Sequence, residues 1–299
     1  MNSPGTTNPS AALPAITPQT RLTQAGTVEY ADFGTGPVVV ALHGAMGGWD
    51  QSTILAQCAV PAGYRVLALS RPGYLGTPFA AGRSPEQQAD LVAALLDALE
   101  IGRAAVMAIS GGGPCALAFA LRHPGRCAGL ALISTCSVKN DARIPFSFHI
   151  MKAMARVPFV VRAMGRRALA NPAKSLERAI ADPGVRRRLL ADAEVMALYT
   201  ALLASTFHRM GERITGTDND IRITFTTELP LERIRVPALV VHGTADKVAP
   251  YRRHVPPFAA RLPGVRVCTV EGGEHVTLFT HRERVRAEVG AFLQTHLVR

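Results

Sequence analysis

Ser110 stands where a run of small apolar residues gives way to a helical pattern, in the stretch AVMAISGGGPCALAFALRHP (residues 105–124). A serine in the sharp turn between a strand and a helix exposes its hydroxyl and can act as a nucleophile. Ala108 and Gly112 lie two residues to either side, and both are small enough for the close backbone contacts of such a turn. The stretch therefore predicts nucleophilic catalysis by Ser110.

The same stretch contains a competing pattern, because Gly111, Gly113 and Ala116 form G-x-G-x-x-A, the dinucleotide-binding fingerprint. That fingerprint requires an acidic residue about 20 positions further on, at the end of the next strand, to bind a ribose hydroxyl. The segment there is ISTCSV (133–138), which has no acid, and at least two strand–helix units precede the fingerprint. We therefore predict a hydrolase rather than a dehydrogenase.

A serine nucleophile needs a general base and a carboxylate that orients the base, because its hydroxyl is weakly nucleophilic at its ordinary pKa. Asp246 follows a buried strand pattern in PALVVHGTADKVAP (237–250), and His275 follows the last strand pattern in VCTVEGGEHVTLF (267–279). The order serine, acid, histidine, with each residue beyond the end of a strand, is typical of one large hydrolase architecture. We predict that Ser110, Asp246 and His275 form a proton-transfer relay.

Acyl transfer also needs backbone N–H groups that bind the negative oxygen of the tetrahedral intermediate. One donor is expected from Gly111, the residue after the nucleophile, and the other from the loop LHGAMGGWD (42–50). Ala45 is the predicted second donor, and Met46 is the alternative. His43 is expected to hold this loop in place.

Short apolar runs alternate with helical patterns along the chain, which predicts a mostly parallel sheet covered by helices on both faces. One opening strand, TVEYADFG (27–34), is expected to be antiparallel. A helix is expected to begin with Ser84 as its N-cap and Pro85 at its first position. The other predicted strands are 37–44, 64–70, 104–110, 129–135, 237–243 and 265–273.

The alternation stops between residues 137 and 231, where the sequence has helical patterns and no clear buried strand. A helical block between two strands of a sheet predicts an inserted cap over 137–231. The core domain is then 20–136 with 232–299. Residues 1–19 are rich in Pro, Thr, Ser and Asn and are expected to form a flexible arm that contributes little to the fold.

Five motifs together resemble the α/β-hydrolase superfamily over residues 21–297: HGAMGGWD, SRPGYLGTP, AISGGGP, HGTADKVAP and GGEHVTLF. The resemblance implies an α/β-hydrolase fold with an eight-stranded sheet and a helical cap. Two positions depart from the family pattern. Ala108 stands where glycine is commoner, and Ser70 stands where many members carry Asp, so a structural hydrogen bond is expected to differ at Ser70.

The composition is that of a globular protein, with 48% hydrophobic and 18% charged residues in a chain of 299. No apolar run reaches the length of roughly 18 residues that spans a bilayer, and the N-terminal residues lack the pattern of a signal peptide. Five scattered cysteines without a C-x-x-C pair indicate reduced thiols. A cytoplasmic protein is therefore expected.

Positive charge is concentrated in the predicted cap, which holds 14 Lys or Arg against 6 Asp or Glu between Lys139 and Arg213. Such a block can attract anionic substrates, acidic lipid surfaces or nucleic acid, or can be a solvated face. No nucleic-acid-binding module is recognisable, so no nucleic-acid partner is expected. The helical stretch 143–164 is a candidate wall of an acyl pocket, where Arg143, Arg156 and Arg162 would add affinity for a carboxylate-bearing substrate.

These observations predict a serine hydrolase that cleaves a small-molecule carboxylic ester or similar acyl compound through an acyl-enzyme. No cofactor is required, and no histidine has the spacing of a metal site. Asp218 and Asp220 are alternative acids, but they precede the strand and are expected to make a loop or cap contact. Three other functions stay open: a carbon–carbon hydrolase of the meta-cleavage type, a cofactor-free perhydrolase, and a ligand receptor that retains the three residues.

Overall fold

A single eight-stranded sheet organises the chain. The computed structural model describes residues 16–136, 139 and 146–297. The strands are β1 Gln19–Thr23, β2 Gly26–Phe33, β3 Val38–Leu42, β4 Arg65–Leu69, β5 Ala104–Ile109, β6 Cys127–Ile133, β7 Ala238–Gly243 and β8 Arg266–Val270. Their order in the sheet is β1-β2-β4-β3-β5-β6-β7-β8, with β2 antiparallel to β1 and β4 and the remaining neighbours parallel. The predicted fold class, an α/β-hydrolase fold with a mostly parallel sheet of eight strands, is confirmed.

All strands predicted from apolar runs are present, and β1 is the strand that the sequence analysis missed. Its sequence QTRLT is exposed over four of five positions, so it has no buried alternation to reveal it. It is held by antiparallel pairing, with Gln19 opposite Tyr30 on β2. Gln19 is the last residue of the predicted flexible arm, whose residues 1–15 lie outside the described residues.

Twelve helices are labelled here in chain order. They are α1 Trp49–Ala59, α2 Pro85–Ala98, α3 Gly113–Arg122, α4 Phe146–Met154, α5 Pro158–Ala170, α6 Pro172–Ala179, α7 Pro183–Ala191, α8 Ala193–Phe207, α9 Ile214–Thr226, α10 Tyr251–Arg261, α11 Thr277–Thr280 and α12 Arg282–Leu297. Helix α2 begins as predicted, with Pro85 after the Ser84 N-cap, which forms a reciprocal capping box with Gln87.

The sheet is covered on both faces, as the near-continuous apolar strands require. Side chains of α1, α11 and α12 pack on one face, and those of α2, α3 and α10 pack on the other. Because the central strands are parallel, their carboxyl ends meet at one edge of the sheet. The loops that follow β3, β5, β7 and β8 therefore converge there.

Six helices, α4 to α9, lie between β6 and β7 and are called here the helical insertion (146–226). Leu176, Val185 and Leu198 of the insertion belong to the same buried cluster as the residues of α1, so part of it packs on the body. A smaller cluster, called here the Met46 cluster, joins Met46 to Ala155, Val161, Met210 and Ile214. Whether residues 137–231 form a separate cap domain stays a prediction.

The five cysteines are free thiols, four of them buried and Cys136 half-buried. Burial raises the pKa of the Cys115 and Cys136 thiols to about 12, so neither is a thiolate at neutral pH. Over the described ranges, no single helix is long and apolar enough to cross a bilayer; a pair formed by α7 and α8 meets the length and composition test but bends by 101°. The cytoplasmic location stays a prediction.

Candidate active site

Ser110 occupies a strained turn between β5 and α3. Its backbone has φ +50°, in the left-handed region that costs an L-residue energy. The turn fits closely under the loop after β3, because a Cβ added to Gly112 would lie 2.8 Å from the His43 carbonyl oxygen. A Cβ added to Gly44 would lie 2.8 Å from the Ser110 Cβ. Both glycines therefore have a steric reason to be glycine, and the turn presents the Ser110 hydroxyl.

The three predicted side chains meet at the carboxyl edge of the sheet. The Ser110 Oγ lies 3.1 Å from His275 Nε2, and His275 Nδ1 lies 2.8 Å from Asp246 Oδ2. Since a carboxylate accepts, Nδ1 carries the proton in this arrangement and Nε2 is left to accept from the serine hydroxyl. This is the geometry that a serine–histidine–aspartate relay requires.

Asp246 is buried and stays ionised. Its Oδ1 accepts from the backbone N–H groups of Val248 and Ala249, both at 2.8 Å. Burial alone would raise the carboxyl pKa, but hydrogen bonds from His242 and His275 outweigh it and hold the pKa well below its ordinary value. The residue therefore offers His275 a fixed negative charge at neutral pH.

His242, at the end of β7, was not identified as a site residue from the sequence. Its Nε2 donates to the Ala249 carbonyl oxygen at 2.7 Å and lies 3.3 Å from Asp246 Oδ2. It thus braces the turn that carries the acid. A histidine four residues before an aspartate, across a turn, is the only sequence signal for this role, and it is weak.

His254 of α10 is a buried histidine whose protonation should affect the stability of the folded protein. It is fully buried, and burial together with the charges of His242 and Arg253 lowers its pKa to about 4. The unfolded chain binds this proton below a pH of about 6.5, the folded protein only below about 4. The free energy of unfolding should therefore fall as pH drops between these values, by up to about 3 kcal/mol from this residue.

We expect His254→Gln to flatten this acid-side loss, measured as urea unfolding at several pH values between 7 and 4. His208→Gln serves as the matched control because His208 is exposed on the insertion. A His254→Gln protein with the same slope as the control would contradict the assignment.

The Ala45 backbone nitrogen lies near Gly111, the other residue predicted to bind an oxyanion. Ala45 is exposed, and its nitrogen lies 3.5 Å from the position of a Cβ added to Gly111. The Met46 amide instead donates to Thr217 Oγ1 at 2.9 Å. Of the two residues predicted as the second donor, Met46 has its N–H engaged by Thr217, which favours Ala45.

The loop that carries Ala45 is held from below by His43. Its Nδ1 lies 2.6 Å from the Gly44 carbonyl oxygen, and its Nε2 accepts from the Arg71 backbone N–H at 3.0 Å. Burial and the neighbouring charge of Arg71 hold the pKa of His43 well below its ordinary value. His43 is therefore a neutral structural residue, as expected.

A buried ion pair ties the same loop to the helical insertion. The guanidinium of Arg71 donates to both carboxylate oxygens of Asp220 on α9, at 2.7 and 2.5 Å, and its Nε donates to the His43 carbonyl oxygen at 2.9 Å. The Tyr74 hydroxyl adds a third hydrogen bond to Asp220. Asp220 makes the contact expected for it, but from within a helix rather than a loop; Asp218 pairs with Lys152.

Arg213, which is fully buried, makes a second connection between insertion and loop. It donates to the Gly47 carbonyl oxygen at 2.8 Å and pairs with the carboxylate of Asp50 at the start of α1. Neither buried arginine was identified from the sequence, because their partners lie far along the chain. The loop after β3 is therefore positioned by side chains from two distant segments.

Ser70, which stands where many members of the family carry Asp, hydrogen-bonds to a buried glutamate. The Ser70 hydroxyl donates to Glu29 Oε2 at 2.7 Å and accepts from the Trp49 backbone N–H at 2.9 Å. Glu29 is buried on β2 and also accepts from the Gly76 N–H. A serine–glutamate pair therefore supplies a buried carboxylate next to this loop.

The proposed contact of Arg143, Arg156 and Arg162 with a substrate carboxylate stays a prediction. Arg156 and Arg162 are exposed on the insertion, and Arg143 lies outside the described residues. A separate cleft of about 300 Å³ opens beside His275, between α6 and the loop after β7, with Arg178 and Lys247 on its wall.

The chain belongs to the α/β-hydrolase fold family, whose model matches residues 37–282. A non-heme chloroperoxidase of Streptomyces lividans is 29% identical over 89% of this chain and 95% of its own. A pimeloyl-[acyl-carrier protein] methyl ester esterase of Aromatoleum aromaticum is 30% identical over 83% and 94%. An α/β-hydrolase fold protein from Nakamurella multipartita superposes with a TM-score of 0.77 at 29% identity, covering 91% of this chain and 99% of that one. Family and relatives support a hydrolase.

Proposed function

We propose that the protein is a serine hydrolase that cleaves a small-molecule carboxylic ester or a similar acyl compound through an acyl-enzyme. The supporting observation is the continuous relay from Ser110 Oγ through His275 to the ionised Asp246, with contacts of 3.1 and 2.8 Å. The resemblance to a methyl ester esterase over most of the chain supports an ester as the substrate.

In this mechanism His275 Nε2 takes the Ser110 proton as the hydroxyl oxygen attacks the carbonyl carbon. The carbonyl oxygen becomes negative, and the amides of Ala45 and Gly111 stabilise it; one such donor typically contributes about 3 kcal/mol. Asp246 stabilises the imidazolium, which then protonates the leaving alcohol. The products of this first half are the free alcohol and an ester of Ser110.

Deacylation repeats the sequence with water as the nucleophile. His275 removes a proton from water, the hydroxide adds to the acyl carbon, and the second tetrahedral intermediate uses the same two amides. Its collapse breaks the bond to Ser110 Oγ, which regains the proton from His275. The net reaction consumes one ester and one water and yields an acid and an alcohol.

The perhydrolase alternative is retained because the Streptomyces lividans relative is a non-heme chloroperoxidase. Hydrogen peroxide would then replace water in deacylation and yield a peracid, with the same three side chains. A carbon–carbon hydrolase would use the same three side chains, and a ligand receptor with negligible turnover would retain them. This scaffold carries many chemistries, and a substrate panel distinguishes the four functions.

The test combines active-site labelling with a substrate panel. A fluorophosphonate should label the protein stoichiometrically, and peptide mass spectrometry should place the label on Ser110. Short p-nitrophenyl esters should turn over many times, faster than bromination in acetate and peroxide or cleavage of a vinylogous diketone acid. No label on Ser110 would contradict the serine mechanism. A single turnover, followed by a product that stays tightly bound, would favour the ligand receptor.

The acyl substrate itself is proposed to be anionic, because the segment between Lys139 and Arg213 holds 14 Lys or Arg against 6 Asp or Glu. The cleft beside His275 is lined by two bases, Arg178 and Lys247, and by two acids, Glu177 and Glu274, so the effect should be moderate. Within the same panel, a carboxylate-bearing ester should lose kcat/KM with rising salt, while its neutral analogue should not. Equal salt dependence of the two would contradict an anionic substrate.

A further inference from the structure

Exposed apolar side chains are concentrated on the helical insertion. Seven large hydrophobic residues are exposed in the described part of the chain, and five of them belong to α4, α5 or α7. Phe146 and Phe159 are the most exposed of these, at 77% and 67%. Clustered exposed apolar residues of this size mark an interaction surface more often than scattered single ones do.

These residues lie on one side of their helices. On α4 the exposed positions include Phe146, Ile150 and Ala153, spaced four and three residues apart, so they share one face. On α5 the exposed positions run from Phe159 through Ala163, Arg166 and Arg167 to Leu169 and Ala170, all within half of the helix circumference at 100° per residue. We call these exposed sides together the α4–α5 face.

The opposite sides of both helices are buried against the Met46 cluster. Ala155, directly after α4, and Val161 of α5 are buried there, and Met151 of α4 packs on the same cluster. Each helix therefore packs by its inner side, and the large apolar residues of its outer side are exposed. The exposed apolar residues therefore do not belong to the apolar side by which each helix packs on the rest of the protein.

The α4–α5 face carries an excess of positive charge over the residues that the structure describes. Residues 146–171 include one lysine and four arginines but no aspartate or glutamate. Lys152 pairs with Asp218, whereas no ion pair joins any of the four arginines to the described residues. Those arginines are Arg156, Arg162, Arg166 and Arg167, and all four are exposed.

We propose that the α4–α5 face docks the protein on an anionic phospholipid surface. Phe146, Ile150 and Phe159 would enter the boundary between headgroups and acyl chains, while the arginines contact lipid phosphates. Binding of this kind combines buried apolar area with attraction to anionic lipid. A second copy of this chain is disfavoured by like charge, and nucleic acid would leave the large apolar side chains without a partner.

The helices that carry the α4–α5 face also pack on the cluster that holds Met46, next to the proposed active site. The inner sides of α4 and α5 pack on the Met46 cluster, and the chain neighbour of Met46, Ala45, is a proposed oxyanion donor. An amphiphilic ester held in the bilayer would thus lie on the outer side of α4 and α5, whose inner sides pack on the Met46 cluster. This consequence rests on the proposed function; the docking itself does not.

The experiment measures sedimentation of the full chain with vesicles of phosphatidylcholine alone or with a third phosphatidylglycerol. The wild-type protein should bind the anionic vesicles at least tenfold more strongly, and added salt should weaken that binding. Arg166→Glu/Arg167→Glu should reduce it at least tenfold. Phe159→Ser, which keeps the charge, should also reduce it. The matched control Arg103→Glu/Arg233→Glu makes the same charge change at exposed positions of the body and should have less than a twofold effect.

Two readouts keep this test separate from the catalytic proposal. Ser110→Ala protein should bind vesicles as the wild type does, and the Arg166→Glu/Arg167→Glu variant should keep wild-type hydrolysis of soluble p-nitrophenyl acetate, which also reports that it folds. Equal binding to neutral vesicles, no binding at low salt, or unchanged binding of the Arg166/Arg167 variant would each overturn the proposal. Duplex DNA binding that depends on these arginines, without vesicle binding, would do so in favour of nucleic acid.

Discussion

Ser110→Ala is expected to reduce kcat for p-nitrophenyl butyrate by about four to six orders of magnitude, because the atom that forms the acyl-enzyme is removed. The fold should be unaffected: alanine meets the same left-handed backbone cost at φ +50° as serine does, and no cavity larger than one oxygen atom is created. Ser175→Ala, on the insertion, is the control and should retain wild-type kcat.

The relay predicts how the losses combine. His275→Ala should be nearly as damaging as Ser110→Ala, and the double variant should lose little more, because the two groups act as one unit. Circular dichroism and urea unfolding verify that each variant is folded. A Ser110→Ala protein with near-wild-type hydrolysis, or losses that multiply in the double variant, would refute the assignment.

Asp220→Asn is expected to cost about 3–5 kcal/mol of folding free energy, the typical loss when a buried ion pair is broken on one side. The Arg71 guanidinium would keep its charge in a site that is 2% exposed, with a neutral amide in place of the carboxylate. Asp90→Asn is the matched control, because Asp90 also receives two guanidinium hydrogen bonds, from Arg122, but at 36% and 45% exposure. An exposed pair contributes about 1 kcal/mol or less.

Activity should fall along with stability in Asp220→Asn. Arg71 holds the carbonyl oxygens of His43 and Gly44 while it pairs with Asp220, so movement of the guanidinium shifts the loop that presents the Ala45 amide. A small displacement of such a group costs about 10- to 100-fold in kcat. Urea midpoints and kcat measured below the unfolding transition distinguish the two effects. Equal losses of unfolding free energy in Asp220→Asn and Asp90→Asn would show that the Arg71–Asp220 ion pair is not isolated from water.

The strands could be predicted because buried parallel strands have a local signature. Runs such as VVVAL and LALI are apolar at every position, which few other structures require. β1 lacked that signature, since its pairing with β2 uses backbone groups that any sequence has. The predicted end of the flexible arm at residue 19 therefore fell inside this strand.

The meeting of Ser110, Asp246 and His275 could be predicted from the sequence because the proposed chemistry restricts both residue type and position. A serine, an acid and a histidine were each expected beyond a strand end, and parallel strands bring those ends together. Asp246, His275 and Ser110 accordingly lie within hydrogen-bond reach although 165 residues separate the serine from the histidine. Local patterns thus carried the fold class and these three positions.

Other features depend on which distant side chains become neighbours, and no local pattern carries that information. Arg71 meets Asp220 across 149 residues, and the Met46 amide meets Thr217 across 171, which favours Ala45 as the proposed oxyanion donor. The exposure of Phe159 and its neighbouring arginines also depends on distant contacts. From the sequence alone, the apolar residues of this helix fit a face that packs on the core. Burial and pairing are decided by packing, and the packing of the insertion against the loop after β3 exists only in the folded chain.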